Sequence, residues 1–187
     1  MEKKKLKNIS HDFDYITEKS LPKTDDELNS LKEECEKNGH FHMTLKEYIV
    51  YENLSNEHLQ HLRDEETGFS KFGTIGGGSS VWYHIENGKQ TIKFKCDGCH
   101  NTYDISVEAN KLDEISADES FIKKYNNSSC SKMTLVEYLR YKKFCELYLK
   151  NGYSIDISFM GTGLGSLIYV KCEEAGVEAD ITDTDCW

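Results

Sequence analysis

The sequence has little proline, little arginine and no long apolar run. Pro22 is the single proline, and Arg63 and Arg140 are the only arginines among 23 basic residues. Because arginine makes the commonest bidentate contact to guanine, this composition is poorly suited to direct reading of DNA bases. No segment approaches the roughly 18 consecutive apolar residues of a membrane span. The basic residues after Met1 are not followed by the apolar stretch of a secretory signal peptide, so we expect a cytoplasmic protein without membrane association.

Cysteine is scattered along the chain and positive charge is in deficit. The seven cysteines form no dense disulfide framework, which predicts reduced thiols in a cytosolic compartment. The formal net charge is -10, so nucleic-acid phosphates repel the chain unless its few cations cluster. An apolar content of 37% with 11% aromatic residues predicts a folded chain rather than a disordered one.

The main positive feature of the sequence is a repeat. The segment Met43–Tyr51 recurs as Met133–Tyr141 with six of nine positions identical, and the glycine-rich segment Gly73–Ser79 is echoed by Gly161–Ser166. Two further pairs follow in the same order, Lys95–Cys96 with Lys171–Cys172 and Asp104–Ser106 with Asp180–Thr182. Matching blocks in one order predict two tandem copies of a single unit.

Each predicted unit opens with a well-specified helix. Thr44 and Thr134 are followed three residues later by Glu47 and Glu137, which is the spacing of a capping box. We expect the first of these helices to break near Ser55, where a new cap occurs.

After the helix, each unit is predicted to continue with a glycine-rich turn and antiparallel strands. The Asn87-Gly88 pair is a strong hairpin signal, and a further strand is predicted over 102–107. The fold class is therefore α+β, with two tandem helix–glycine turn–antiparallel β units and an N-terminal helix. The predicted divisions are an N-terminal segment and helix (1–39), a first unit (40–107), a helix and linker (108–129) and a second unit (130–187).

Cys96 and Cys99 have the Cys-x2-Cys spacing of a zinc-ribbon knuckle, so the hairpins are predicted to be degenerate zinc ribbons. A structural zinc needs four ligands, and Ala175 stands where the second unit would have its second cysteine. Candidates to complete the site are His40, His42, His84, His100 and Cys172. The alternative is a knuckle with two free thiols. His58 and His61 can share a helix face, but we expect a solvated face there rather than a metal site.

Two sets of residues are candidates for contacts with a partner. The first is acidic and comprises Glu173, Glu174, Glu178, Asp180, Asp183 and Asp185. Such a face either is simply solvated or imitates a phosphate backbone and binds a basic groove, with Trp187 as a contact anchor. The second set lies on the predicted hairpin and comprises Trp82, Tyr83, Lys93 and Lys95, which have the charge and stacking surface for single-stranded nucleic acid.

Catalytic signals are weak. The glycine-rich segments do not end in the Gly-Lys-Ser/Thr of a phosphate-binding loop, and we expect their glycines to serve the backbone conformation of turns. Neither a nucleophile–base pair nor a distinct acid–base pair of carboxylates stands out. The sequence therefore predicts a protein that is not an enzyme.

The motifs carry a resemblance to a broad group of proteins. The pattern of Met133–Tyr138, Gly161–Gly165, Val170–Cys172, Asp180–Asp183 and Trp187 resembles small, mostly uncharacterised proteins of phages and mobile elements in AT-rich bacteria. Short acidic proteins of this kind include inhibitors of host defence, among them anti-CRISPR proteins of the Cas9-blocking kind. The resemblance covers about two thirds of the chain, and it carries over no functional residue because the matching positions are caps, turns and strands.

Three hypotheses follow. The first is a non-enzymatic, acidic inhibitor, encoded by a phage or mobile element, that binds a host nucleic-acid-handling defence enzyme such as a CRISPR-Cas nuclease or its guide complex. The second is a degenerate zinc-ribbon protein that binds nucleic acid directly. The third is a protein that binds a small ligand in a crevice between the two units. None of these hypotheses requires a cofactor, and zinc is the one cofactor that the sequence motifs allow.

Overall fold

The computed structural model describes residues 13–62, 78–113, 117–161 and 165–186. The helices are α1 (Asp25–Asn38), α2 (Leu45–Leu62), α3 (Ile105–Ala109), α4 (Glu119–Ser128) and α5 (Leu135–Leu147). The strands are β1 (His40–His42), β2 (Ser79–Glu86), β3 (Lys89–Cys96), β4 (Thr102–Asp104), β5 (Cys130–Lys132), β6 (Ile155–Gly161), β7 (Ser166–Cys172) and β8 (Val177–Asp180). Within the described ranges, none of the helices combines the length and apolar character that a membrane crossing needs.

The strands form two antiparallel sheets, and the predicted α+β class is confirmed. Six strands make the main sheet in the order β4-β3-β2-β6-β7-β8, while β1 and β5 pair as a separate two-stranded ribbon. The main sheet is continuous across the two predicted units because β2 pairs directly with β6, with Trp82 opposite Ser158. The predicted hairpin is confirmed as well, since β2 and β3 pair across Asn87 and Gly88, which both have positive φ angles.

The two halves of the chain have the same order of elements. Each runs helix, short strand, helix and three strands: α1-β1-α2-β2-β3-β4 in the first half and α4-β5-α5-β6-β7-β8 in the second. Ser106 and Thr182, which the repeat aligns, accept hydrogen bonds from the backbone N–H groups of Ile92 and Ile168 at 2.9 Å each. This agreement supports the proposed duplication and extends each unit to include the helix before its short strand.

Capping boxes begin α2 and α5, the central helices of the two halves, as predicted. The Thr134 hydroxyl accepts from the Glu137 N–H at 3.2 Å, and the Glu137 carboxylate accepts from the Thr134 N–H at 2.7 Å. Thr44 and Glu47 make the same two bonds at 3.3 Å and 2.8 Å. Each box satisfies N–H groups that a helix N-terminus would otherwise leave unpaired.

The same two glutamates tie each helix to the segment after the last strand of its half. Glu47 accepts from the Ser106 hydroxyl at 2.7 Å, and Glu137 accepts from the Asp183 N–H at 3.1 Å. Glu137 and Asp183 are both buried. Asp183 was predicted as a contact residue, and its burial against α5 corrects that prediction.

The core lies between one face of the main sheet and the layer of helices and ribbon. Phe41, at the centre of β1, is only 3% exposed. Its ring centroid lies 5.2 Å from Tyr83, 5.4 Å from Phe159 and 5.7 Å from Tyr141. These rings come from β2, β6 and α5, so a single aromatic side chain holds the ribbon against both halves of the chain.

Two local predictions are wrong. The α2 helix runs without a break through Ser55, because buried side chains such as Tyr48 and His58 pack along it and outweigh the local capping preference of serine. The predicted strand over 102–107 ends at Asp104, whose carboxylate accepts from the Val107 N–H at 2.8 Å and begins α3.

The repeat predicted that the two glycine-rich segments occupy corresponding places in the two halves, and this prediction is wrong. The segment that begins at Gly161 connects β6 to β7, whereas Gly78 directly precedes β2. The element that corresponds to the β6–β7 turn is instead the Asn87-Gly88 turn between β2 and β3. Residues 73–77 and 162–164 lie outside the described residues.

We predict that Glu137→Ala lowers the free energy of unfolding by about 2–4 kcal/mol, since it removes a cap and leaves the buried Asp183 N–H without its partner. Urea denaturation measures this loss. Glu137→Gln keeps an acceptor oxygen and serves as the matched control, with a smaller expected loss. A change below about 0.5 kcal/mol for the alanine variant would mean that this glutamate does not tie the helix to the sheet.

Candidate metal centre and open sheet face

The end of α2 and the turn between β3 and β4 bring two histidines and two cysteines together. The ligand atoms of His58, His61, Cys96 and Cys99 all lie within 4.8 Å of one another. His58 Nδ1 is 3.0 Å from His61 Nδ1 and 3.3 Å from the Cys99 sulfur. A tetrahedral zinc ion, with bonds of about 2.0 Å to nitrogen and 2.3 Å to sulfur, separates its ligand atoms by about 3.3–3.8 Å. This set, the Cys2His2 cluster, therefore has the composition and proximity of a structural zinc site.

The histidines reach the cluster because they lie one turn apart on the same face of α2. His58 is 5% exposed, and its ring lies 4.9 Å from Tyr103 and 5.7 Å from Phe94 between centroids. The expectation of a solvated face is wrong for His58, because aromatic side chains of β3 and β4 cover it, whereas His61 is half-buried.

The cysteine turn fits closely under the end of α2. A side chain at Gly98 would place its Cβ 2.4 Å from the carbonyl oxygen of His61, so only glycine allows this approach. Burial raises the pKa of the Cys96 thiol, while hydrogen bonds from the backbone N–H groups of Gly98 and Cys99 act in the opposite direction. Backbone donors aimed at a buried sulfur stabilise the thiolate form, which is the form that binds metal.

The second half keeps only one of the four potential metal ligands at the corresponding positions. Aligned by the repeat, the positions of the cluster hold Tyr148, Asn151, Cys172 and Ala175. Tyr148 is 1% exposed and its ring lies 4.5 Å from that of Phe144. A buried aromatic residue thus stands in the second half where the first half has His58 of the Cys2His2 cluster.

The structure places the predicted completing ligands elsewhere. They are His40 and His42 on β1, His84 on β2, His100 after the knuckle, and Cys172 in the second half. His84 Nδ1 is 2.9 Å from a carboxylate oxygen of Asp156. A zinc ribbon takes its second ligand pair from a second knuckle, whereas here the second pair comes from the helix α2. The signal that finds the cluster is the spacing of His58 and His61, three residues apart at the end of a helix.

The face of the main sheet that points away from the helices forms a second candidate site. Side chains alternate along a strand, so the burial of Tyr83 in the core turns Trp82 to the other side. We call this surface the open face; its central strands carry Trp82, Lys93, Lys95, Met160, Leu167, Tyr169 and Lys171. Ser158 lies between Trp82 and Tyr169 in the pairing register and is fully buried beneath them.

Trp82 is held in place from two sides. Its indole N–H donates to the Ser80 hydroxyl at 2.9 Å. The ammonium group of Lys171 lies 4.6 Å from the centroid of the indole ring, within the range of a cation–π contact. The indole is therefore ordered before any partner arrives, which lowers the entropic cost of binding through it.

The lysines around Trp82 are balanced by nearby carboxylates. Lys171 pairs with Glu173 at 2.7 Å, and Lys95 lies 3.7 Å from Asp97. Both lysines line a shallow cavity of about 220 Å³ whose other lining residues are Trp82, Lys93, Thr102, Asp156 and Glu173. The open face is thus a mixed-charge surface rather than a uniformly basic one.

Of the four hairpin residues predicted to contact nucleic acid, three lie on the open face and Tyr83 does not. Tyr83 is 1% exposed, and burial raises the pKa of its hydroxyl to about 12. Since its ring packs on Phe41 and Phe159, it cannot stack on a base, and its prediction as a contact residue is wrong.

Two members of the predicted acidic set have hydrogen-bond partners within the chain although their side chains are exposed. Asp180 accepts from the N–H and hydroxyl of Thr182 at 2.9 Å and 2.6 Å. Glu174 accepts from the Ser154 hydroxyl at 3.1 Å. Asp183 is the one buried member of the set, and the side chains of the others within the described residues are exposed and available to a partner: Glu173, Glu174, Glu178, Asp180 and Asp185. Trp187 lies outside the described residues.

Comparisons of this chain with protein-family models, with curated proteins and with solved structures find no match.

We predict that zinc chelation destabilises the wild-type protein more than it destabilises Cys99→Ser. Metal-binding energy is folding energy for a site that is absent from the unfolded chain, so a loss of about 3 kcal/mol or more is expected in the wild type. Unfolding by heat and urea with and without chelator gives the comparison. His100→Asn, which changes a histidine outside the cluster, should stay as sensitive as the wild type. Equal stability of the wild type with and without chelator would contradict a structural metal.

Proposed function

We propose that this protein is a non-enzymatic inhibitor that binds a host nucleic-acid-handling defence enzyme, such as a CRISPR-Cas nuclease or its guide complex, through the open face. The partner class comes from the acidic composition and the resemblance of the sequence motifs. The observation that supports a protein partner is the layout of the open face, which has an aromatic and apolar centre between rims of opposite charge.

The centre of the open face has the composition of a protein interface. Trp82, Met160, Leu167 and Tyr169 lie on the adjacent strands β2, β6 and β7 and are half-buried. Aromatic residues and methionine are enriched in the cores of protein interfaces, and tryptophan and tyrosine dominate their binding energy. These four side chains give a partner a contiguous anchor surface.

The two rims of the open face carry opposite charge. Lys93 and Lys95 lie on β3, on one side of the centre, whereas Glu178 and Asp180 lie on β8, on the other side. Opposed rims favour one orientation of a charged partner and reject the reverse. With a net charge of -10, the chain as a whole attracts a basic partner such as a nucleic-acid-binding groove.

The chemistry of the described side chains supports a non-enzymatic role. Burial raises the pKa values of Cys35, Cys130 and Cys145, to about 12 for Cys145, so these thiols are protonated at neutral pH and are poor nucleophiles. His84 and Asp156 form a hydrogen-bonded pair, but in the described part of the chain the buried Ser158 hydroxyl has no hydrogen-bond partner. The pair therefore lacks the aligned nucleophile of a catalytic triad.

The Cys2His2 cluster has a supporting role in this proposal. Four protein ligands leave no open position for substrate, as in structural rather than catalytic zinc sites. A zinc ion there fixes the end of α2 against the β3–β4 turn and so supports the lysine rim of the open face.

We predict that the wild-type protein inhibits DNA cleavage by a CRISPR-Cas nuclease bound to its guide RNA, and that Trp82→Ala weakens inhibition by about thirtyfold, the loss of an interface hot spot. Cleavage assays with increasing inhibitor measure the effect. Tyr15→Ala is the matched control, because Tyr15 is an aromatic residue that is 66% exposed and lies outside the main sheet. Equal inhibition by Trp82→Ala and wild type would move the contact away from the open face. Failure of the wild type to bind any nuclease of a representative panel would contradict the partner class.

A second candidate function is direct binding of single-stranded nucleic acid, favoured by the approach of Lys93, Lys95 and Lys171 to Trp82 around one cavity. Lysines beside a stacking platform are the usual elements of such sites.

The third hypothesis is a small-ligand crevice, and it falls on this same cavity, which is lined by residues of both halves. Its volume of about 220 Å³ is below the usual range of ligand pockets, so we favour it least.

For the nucleic-acid candidate we predict that affinity for a single-stranded oligonucleotide falls with salt, and that Lys93→Gln reduces the slope of log affinity against log salt by about 0.7. Fluorescence anisotropy over a salt series gives the slopes. Lys19→Gln, a lysine outside the open face, leaves the slope unchanged. Binding that does not depend on salt, or none at all, would exclude this candidate.

A further inference from the structure

The ribbon of β1 and β5 brings together a second group of metal-ligating side chains. The ligand atoms of His40, His42 and Cys130 lie within 4.8 Å of one another. The Cys130 sulfur is 3.5 Å from His42 Nε2, and the register of the ribbon pairs these two residues directly. The group therefore arises from the strand pairing itself and does not depend on long side chains meeting by chance.

The ribbon turns these three side chains outward. Phe41 lies between the two histidines in the sequence and points into the core, so His40 and His42 share the opposite face. His42 is exposed, and His40 and Cys130 are half-buried. The group is thus reachable by an ion from solvent, unlike the Cys2His2 cluster, in which His58 and Cys96 are buried.

We infer that His40, His42 and Cys130 form a second metal site, which binds a zinc-class divalent ion reversibly and leaves its fourth coordination position open. Two imidazoles and one thiolate are ligands that suit zinc, and three protein ligands leave a position for water or for a donor group from a partner. On binding, the metal–sulfur bond replaces the sulfur–hydrogen bond of Cys130, and the proton passes to solvent. This site is independent of the proposed inhibitory function.

An ion at this site would bridge the two halves of the chain. β1 belongs to the first half and β5 to the second, and backbone hydrogen bonds already join them from Met43 to Ser129 at 3.0 Å and from Met133 to Gly39 at 3.1 Å. A ligand set shared between the strands adds the free energy of metal binding to this junction. The second metal site is therefore expected to stabilise the ribbon that carries Phe41.

Titration of the metal-depleted full chain with Co²⁺ tests the inference, because cobalt substitutes for zinc and its absorption reports thiolate ligation and coordination geometry. We expect the wild type to bind one equivalent at the Cys2His2 cluster and a second, at least tenfold weaker, at the ribbon. His42→Asn and Cys130→Ser should each lose the weaker equivalent and keep the tighter one. Cys99→Ser should show the reverse, and His100→Asn should keep both.

Because His42 is exposed, His42→Asn is expected to fold as the wild type does, which circular dichroism verifies. Binding of a single equivalent that Cys99→Ser abolishes and Cys130→Ser leaves unchanged overturns the inference. So does a folded His42→Asn variant that retains the weaker equivalent with unchanged affinity.

Discussion

Packing of Phe41 against Tyr83, Phe159 and Tyr141 is the contact on which the rest of the fold depends. Aromatic pairs of this kind contribute about 0.5–1.5 kcal/mol each beyond the area that they bury. Since Phe41 lies in the ribbon, its contacts press the ribbon and the flanking helices onto one face of the main sheet. The alternation of side chains then leaves Trp82 and its neighbours on the other face. The core and the open face are thus consequences of the same packing.

The two halves differ in what fills the space at the end of α2 and of α5. In both, the end of the central helix lies near the turn between the second and third strands of that half. The second half has the buried Tyr148 there, whose ring packs against Phe144 in a contact that needs no ion. The first half has His58 and Cys96 there, and the imidazole of His58 is a polar group whose burial is costly unless it is paired. An ion bound at the proposed zinc site would pair with this imidazole and would take the structural part that an aromatic ring has in the other half.

Local chemistry made much of the fold predictable from the sequence. The capping boxes at Thr44 and Thr134 and the Asn87-Gly88 hairpin depend on residues close together in the chain, and the structure confirms them. The Cys2His2 cluster was only half predicted, because its two ligand pairs are 35 residues apart between His61 and Cys96. Their meeting is decided by how α2 packs on the sheet. Burial of Tyr83 and Asp183 likewise depends on which face of a strand or loop the core covers, which local sequence patterns do not determine.

We propose that the Cys2His2 cluster holds zinc as part of the folded structure. X-ray absorption spectroscopy at the zinc edge, on protein purified without added metal and carrying His42→Asn to exclude the ribbon, tests this directly. We expect one zinc per chain, with two sulfur neighbours at about 2.3 Å and two nitrogen neighbours at about 2.0 Å. Folded protein without zinc, or zinc with a shell of nitrogen and oxygen only, would contradict it.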